Sequence, residues 1–491
     1  MSGDTTRVIR RPSPSWVFVV AWLVAFAALQ WSVVRFRVAI VVALTTAALL
    51  LTMWVVRRTT VRLTPATVAT LLAGSALINV VVPLWSYLPA ATERTVTVGF
   101  AVAALAAATM LVRRRSALLA WGIAVVTYVA AGAVAIATDP RPRIDVWVTL
   151  QQAVEAMARG VNFYTVNWTG SPGVKDAFTY LPWSAVLLAP GKLLAGDVRW
   201  MLLVWVVVAA LGLWLLGRCA HDLLGPRPRD GQAAWTAAAV TALLLLAPGT
   251  LTQIDQAWTE PLLFTGLVWW AVLMVRDRAW WSVLPLALAC ASKQHLAAVL
   301  LVLAFWRPFG WRRAVATGAL TAVLIAPWAL SAPADFVHDT ITFLVTFHPI
   351  KFANTWYLLA LNEFGVELPF WVTGVAVLVP LVTALVAVRR RTPPIGEVVR
   401  WAALVLFAAN LVNKQAFYNQ YWLVAALVAL SLVLDAAGRP TDTVSPESSA
   451  ASRQPGTQRQ PGAHRAVSAN PSHDGPLVAR TSPAPHLPHS G

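Results

Sequence analysis

Asp145 stands in the longest polar interruption before the C-terminal tail, residues 138–182, between two regions that are almost continuously apolar. A short helix is predicted just after it, 146–158, then Gly160-x-Asn162-x-Tyr164 and Phe178-x-Tyr180-x-Pro182. Further on, Lys293 and His295 interrupt an apolar run at 280–306. Asp255 and Glu260 lie at the edge of another, and His348, Lys351, Lys414, Gln415 and Asn419 fall in later polar connections. An ionisable group inside or at the edge of a bilayer is costly and by default marks a substrate path. Lys293 needs an anionic partner, either a carboxylate such as Asp255 or Glu260, or a phosphate; His295, His348, Lys351 and Lys414 are candidates for the same role. A carboxylate facing cations at a membrane edge suits sugar transfer from a lipid phosphate to a hydroxyl. The carboxylate takes the hydroxyl proton as general base. The cations stabilise the departing phosphate as charge develops on it. No metal is required where fixed cations supply that charge, and no cofactor is expected, because the lipid-linked sugar is itself a substrate.

The elements that must hold these residues follow from composition. The 491 residues are 58% hydrophobic and 12% charged, against about 25% charged in a soluble domain. Repeated apolar runs of about 18 residues or more then predict an all-α, polytopic transmembrane bundle. The net charge of +17 does not point to nucleic acid, because the Lys and Arg sit in short clusters between apolar runs and so report topology. Two cysteines, Cys219 and Cys290, have neither metal nor disulfide spacing.

Five spans come first, at 16–34, 38–56, 66–88, 96–112 and 117–137, the first read as a retained helix rather than a cleaved signal. Arg7, Arg10 and Arg11, then Arg57, Arg58 and Arg62, then Arg113, Arg114 and Arg115 fall on one side of them, which the positive-inside rule makes cytoplasmic. Loop 138–182 is then external. Residues 183–197 are apolar but short and interrupted by Pro190-Gly191, so they are expected to dip into the outer leaflet without crossing. Spans follow at 198–217, 232–248 and 257–275. The Arg pattern requires 280–306 to be two short helices meeting at Lys293. Spans at 313–331, 369–388, 398–412 and 421–437 complete about 13–14 membrane helices, with a second external loop at 332–367. Residues 438–491, rich in Pro, Ser and Gly, read as a disordered cytoplasmic tail. This alternation brings Asp145, Asn162, Asp255, Glu260, Lys293, His295, His348, Lys351, Lys414 and Asn419 to one external side.

Asp145, Gly160-x-Asn162-x-Tyr164 and the aromatic-x-Tyr180-x-Pro182 motif together resemble the GT-C superfamily of integral-membrane glycosyltransferases. The nearest resemblance is to the polyprenol-phosphate-mannose-dependent mannosyltransferases of glycosyltransferase family 87, over residues 117–437. Phe163 and Leu181 stand where that family has proline, and the acidic loop follows the fifth span rather than the first. The resemblance implies that Asp145 is the general base, and that Lys293 or His348 holds the donor phosphate, with His295, Lys351 and Arg143 as further candidates. Asn162, Tyr164, Tyr180, Asp255, Glu260, Lys414, Gln415 and Asn419 are candidate substrate contacts.

The expected organisation is N-terminal transmembrane helices at 1–116, a catalytic transmembrane core at 117–437 and the tail. The expected activity is inverting hexosyl transfer, mannose foremost, from a polyprenyl-phosphate sugar donor to a glycan, glycolipid or protein acceptor, outside the plasma membrane. Plainer roles stand beside these: Asp145 as a helix cap, Lys293 as a structural partner of Asp255 or Glu260, His295 as a hydrogen-bonded core histidine, Asn162 and Tyr164 as loop-shaping residues. A lipid or solute transporter or flippase is the second reading of the whole chain, and a non-catalytic membrane scaffold the third.

Overall fold

The computed structural model describes residues 13–222 and 231–437; the tail expected at 438–491 lies outside them. Among the described residues all regular structure is helical, and nine helices are long and apolar enough to cross a membrane, with five shorter apolar ones beside them. The fold is the polytopic helical bundle of a multi-pass membrane protein.

In chain order the helices are α1 Pro14–Ser32, α2 Val38–Arg57, α3 Pro65–Val81, α4 Ala90–Val112, α5 Ala117–Thr138, α6 Asp145–Ala158, α7 Trp183–Ala195, α8 Arg199–Asp222, α9 Gly231–Leu245, α10 Thr252–Asp255 and α11 Glu260–Val275. The interrupted pair α12 Val283–Cys290 and α13 Leu296–Phe305 comes next. Then follow α14 Gly310–Ser331, α15 Pro333–Val337, α16 Phe343–Thr346, α17 Trp356–Phe364, α18 Phe370–Arg391, α19 Ile395–Val412 and α20 Tyr418–Ala437. Helices α19 and α20 are mostly buried, whereas α14 and α18 turn nearly all their surface outward. Apolar side chains facing outward are what hydrocarbon solvates, and a helix satisfies most of its backbone groups internally.

Connections sort into two ends. At one, Arg58 pairs with Glu397 at 3.5 Å, the Trp306 indole donates to the Pro393 carbonyl at 2.9 Å, and Arg313 lies over Trp280. This basic end carries the Arg clusters. At the other, Asn354 bonds the backbone of Arg35 and Arg37, Asp255 accepts from Ser86 and Tyr87, Tyr87 donates to the Arg143 carbonyl and Tyr418 donates to the Pro248 carbonyl. Hydrogen bonds thus join connections far apart in sequence at this end.

Several boundaries differ from the sequence reading. Span 66–88 ends at Val81, because Pro83 cannot continue a helix, which frees Ser86 and Tyr87 to form a polar connection. The helix expected at 146–158 begins at Asp145, with Ile144 in the capping position. Helix α7 runs unbroken through Pro190, although the proline leaves the Val186 carbonyl without its helical partner. Its Gly191 lets α7 and α8 touch: a Cβ there would stand 2.8 Å from the Asp197 carbonyl and 2.9 Å from the Met201 nitrogen. The two short helices expected at 280–306 are present. At about 1.5 Å per residue, α12 spans about 12 Å and α13 about 15 Å, each well short of the bilayer's hydrocarbon thickness of about 30 Å.

A buried ion pair fixes the corner that carries α6. The Arg199 side chain is fully buried, its Nη2 2.7 Å from Asp197 Oδ2 and 2.7 Å from the Asp139 carbonyl. Asp197 also accepts from the Trp147 indole of α6 at 3.1 Å, and Gln151 bonds both Gly196 and Val198. Removing one partner of such a pair strands a charge in an apolar interior, at a cost of about 3–5 kcal/mol. Asp197→Asn is expected to lower unfolding stability in detergent by about that much; a loss below about 1 kcal/mol would show that the pair is solvated, as exposed pairs are.

Candidate functional site

Two chain segments descend to meet the break between α12 and α13. Residues 179–183 run alongside it: the Leu181 N–H donates to the Ser292 carbonyl at 3.2 Å, the Trp183 N–H to that of Ala291 at 3.1 Å, and the Gln294 amide to Thr179 at 3.1 Å. Beside them lies the linker between α9 and α11, residues 246–259, every residue of which is buried. Irregular backbone is tolerated at such depth only where protein or a polar cavity satisfies it. The break exists because Ser292-Lys293-Gln294-His295 offers side chains that would be stranded on an uninterrupted span.

Lys293 Nζ lies 2.5 Å from Glu260 Oε1 and 5.3 Å from the centre of the Tyr180 ring. Glu260 is fully buried, the first residue of α11, where the helix dipole favours a negative charge. The Asn419 amide lies against its carboxylate. His295 sits in the field of both Lys293 and Glu260.

Asp145 also acts on Tyr180 through its charge. Its Oδ1 accepts from the Val146 N–H at 2.8 Å. Gly173 closes over Oδ2, where a Cβ would stand only 2.7 Å away. Burial raises the Asp145 carboxyl above the ordinary aspartate range, against hydrogen bonds from the Val146 and Val174 backbone that lower it. Burial, then the charges of Asp145 and Glu260, push the Tyr180 hydroxyl well above the usual phenol range. Tyr180 therefore feels both a hydrogen-bonded carboxylate and a lysine–glutamate pair.

Tyr87 joins Asp255 to this group. Burial, then Asp255 and Asp145, push its hydroxyl up to about 12. Asp255 accepts through Oδ2 from Ser86 at 3.1 Å and the Tyr87 N–H at 3.2 Å. Its Oδ1 has no partner among the described residues, and neither do Gln253 Nε2 and Oε1, Gln256 Nε2, Thr259 Oγ1, Glu260 Oε2, Asn419 Oδ1 or Gln420 Oε1. Orphaned buried polar atoms are few in a folded protein; others are scattered through the bundle, and these lie on one linker, the start of α11 and the start of α20.

The structure thus brings Asp145, Tyr180, Glu260, Lys293, His295 and Asn419 together, with Asp255 and Arg143 attached through Tyr87. Asn162 and Tyr164 hold the loop: Asn162 accepts from the Tyr164 N–H and donates to the Trp328 carbonyl and Ser331, and Tyr164 donates to the Tyr180 carbonyl at 2.7 Å. His348 and Lys351 are exposed. His348 stacks on Phe347, which with Phe343 lines a hollow of about 500 Å³ that also includes Gly173. Lys414 lies over Tyr357 and bonds the Val345 carbonyl, and Gln415 bonds Asn413 through its backbone. Sequence reasoning missed Ser86, Tyr87, the Asp197–Arg199 pair and Asp339, which accepts from the Phe178 N–H at 2.7 Å. Pro83 and the Asp-x-Arg spacing at a span's start were the available signals.

No protein-family model matches the chain, and no curated protein matches it.

Burial raises Asp255, outside the spanning helices, from the ordinary 3.8 to about 6. A raised carboxylate binds its proton more tightly folded than unfolded, so its contribution is most favourable below the unfolded value and is lost as pH rises through the folded one. The midpoint of thermal unfolding in detergent should therefore fall as pH climbs from about 4 to about 6. Asp255→Asn should flatten that slope. An unchanged slope in the variant would assign the dependence to another group.

Proposed function

We propose that the protein is a GT-C-type glycosyltransferase that moves a hexose, mannose foremost, from a polyprenyl-phosphate carrier to a hydroxyl of a cell-envelope glycan, glycolipid or protein. The polar end then faces outside the plasma membrane and the basic end faces the cytoplasm. One observation carries this reading: Tyr180 lies in the field of Asp145 and of Glu260, with Lys293, the partner of Glu260, 5.3 Å from its ring.

Asp145 suits the base because burial raises its proton affinity while backbone N–H groups hold its orientation. Lys293 supplies positive charge for the leaving lipid phosphate, and its pairing with Glu260 keeps that charge from being stranded when no phosphate is present. The orphaned amides and hydroxyl of Gln253, Gln256, Thr259, Asn419 and Gln420 suit a hydroxyl-rich ligand. Balance is simple: the acceptor oxygen bonds the anomeric carbon, the bond to phosphate oxygen breaks, and the acceptor proton goes to Asp145.

A broken helix carrying a charge is also a feature of transporters, and the α12–α13 break with Lys293 gives that second reading its support. The two are separated by transfer from labelled polyprenyl-phosphate mannose in membranes, against uptake into proteoliposomes. Asp145→Asn should reduce transfer by about 10²–10⁴-fold at normal expression, and the wild-type rate should fall on acidification at a pH above the ordinary aspartate range. Full transfer by Asp145→Asn would remove Asp145 from the chemistry; uptake without transfer would favour the transporter.

A further inference from the structure

Away from the polar end, α1 and α2 splay apart against α19 and α20 and leave a groove of about 280 Å³. Its lining runs from Pro14 to Leu29 on α1 and from Leu44 to Arg57 on α2, about 20 Å along each helix at about 1.5 Å per residue. Ala21, Ala25, Ala47 and Ala425 keep it open, where longer side chains would fill it.

Three features define an occupant. The body is hydrocarbon: Phe18, Phe26, Leu50 and Val428 are typical of its walls. Part of the way down, the Trp22 indole N–H is buried and has no acceptor among the described residues, although the ring is only 5% exposed. At the basic-end mouth, Arg57 is exposed and makes no ion pair among the described residues, whereas its neighbour Arg58 pairs with Glu397. Among the described residues no Asp or Glu lines the groove.

We infer that this groove is a binding site for an anionic glycerophospholipid of the leaflet at the basic end, with one acyl chain between α1 and α2, an ester carbonyl accepting from Trp22, and the phosphate against Arg57. A chain, a hydrogen-bond acceptor just below the headgroup and a negative charge at the interface occur in that order in such a lipid. The groove offers hydrocarbon wall, a buried donor and a cation for these three parts. The site is separate from the Asp145 group, so it stands or falls independently of the proposed transfer reaction. Its role is to seal α1 and α2 to α19 and α20, whose other ends carry Asn419 and the orphaned Gln420.

Native mass spectrometry of the full chain, released from detergent after titration with phosphatidylglycerol or phosphatidylcholine, tests this. The wild type should retain one phosphatidylglycerol, and prefer it over phosphatidylcholine by about fivefold, the size of one interfacial cation's attraction. Arg57→Ala should abolish the preference while chain binding persists. Ala25→Trp should lose the bound lipid at least tenfold; should that variant fail to fold, Ala47→Phe fills the same space from α2. Equal retention of both lipids by the wild type, or undiminished retention by a folded groove-filled variant, would overturn the site.

Discussion

A lysine below the surface of an apolar bundle must be neutralised, and the Lys293–Glu260 contact does this. The desolvation cost of burying two charges is several kcal/mol per ion and is offset only by close geometry and further hydrogen bonds. Close geometry demands that α11 begin at Glu260 and that the chain break between α12 and α13. A broken span exposes backbone groups in turn, and segment 179–183 takes them up. That segment is held from behind by Tyr164 and Asp339. One charge pair thus dictates two helix starts, one helix break and the path of a loop.

The same logic recurs at the neighbouring corner. Arg199 and Asp197 are buried as a pair, and the hydrogen bonds that complete them reach Asp139 and Trp147. These tie the end of α5 and the start of α6 to the rest, which sets where Asp145 begins its helix. Asp255 does the same for the α3–α4 connection through Ser86 and Tyr87. The polar end is therefore a set of loops pinned by carboxylates, with Asp145 and Lys293 held in register. Rigid support of this kind is what a base and a phosphate-binding cation would need in the proposed transfer.

Much of the fold was legible because hydrocarbon thickness and charge asymmetry act on long stretches of chain. Span positions, the α12–α13 interruption and the shared end of the polar groups all followed from run length and Arg placement. The site was legible only in part. Lys293 could be seen to need an anion, but Asp255 and Glu260 were equal candidates; helix α11 starting at Glu260 decided between them, and sequence spacing does not report that. Asn162 and Tyr164 bond the backbone of Trp328 and Tyr180, residues distant in sequence. Tyr87 was hidden inside a stretch read as a span, 66–88, and Arg199 inside another, 198–217. Both draw their importance from partners far away in sequence, which periodicity cannot reveal.

The most direct test of the organising role of the charge pair is a double-mutant cycle on unfolding stability in detergent, with Lys293→Met, Glu260→Leu and the two combined. If the pair is buried and mutually neutralising, each single change costs about 3–5 kcal/mol and the combination recovers most of the loss, because no unpaired charge is left behind. Losses that simply add would contradict it, and would mean that the two side chains are solvated separately.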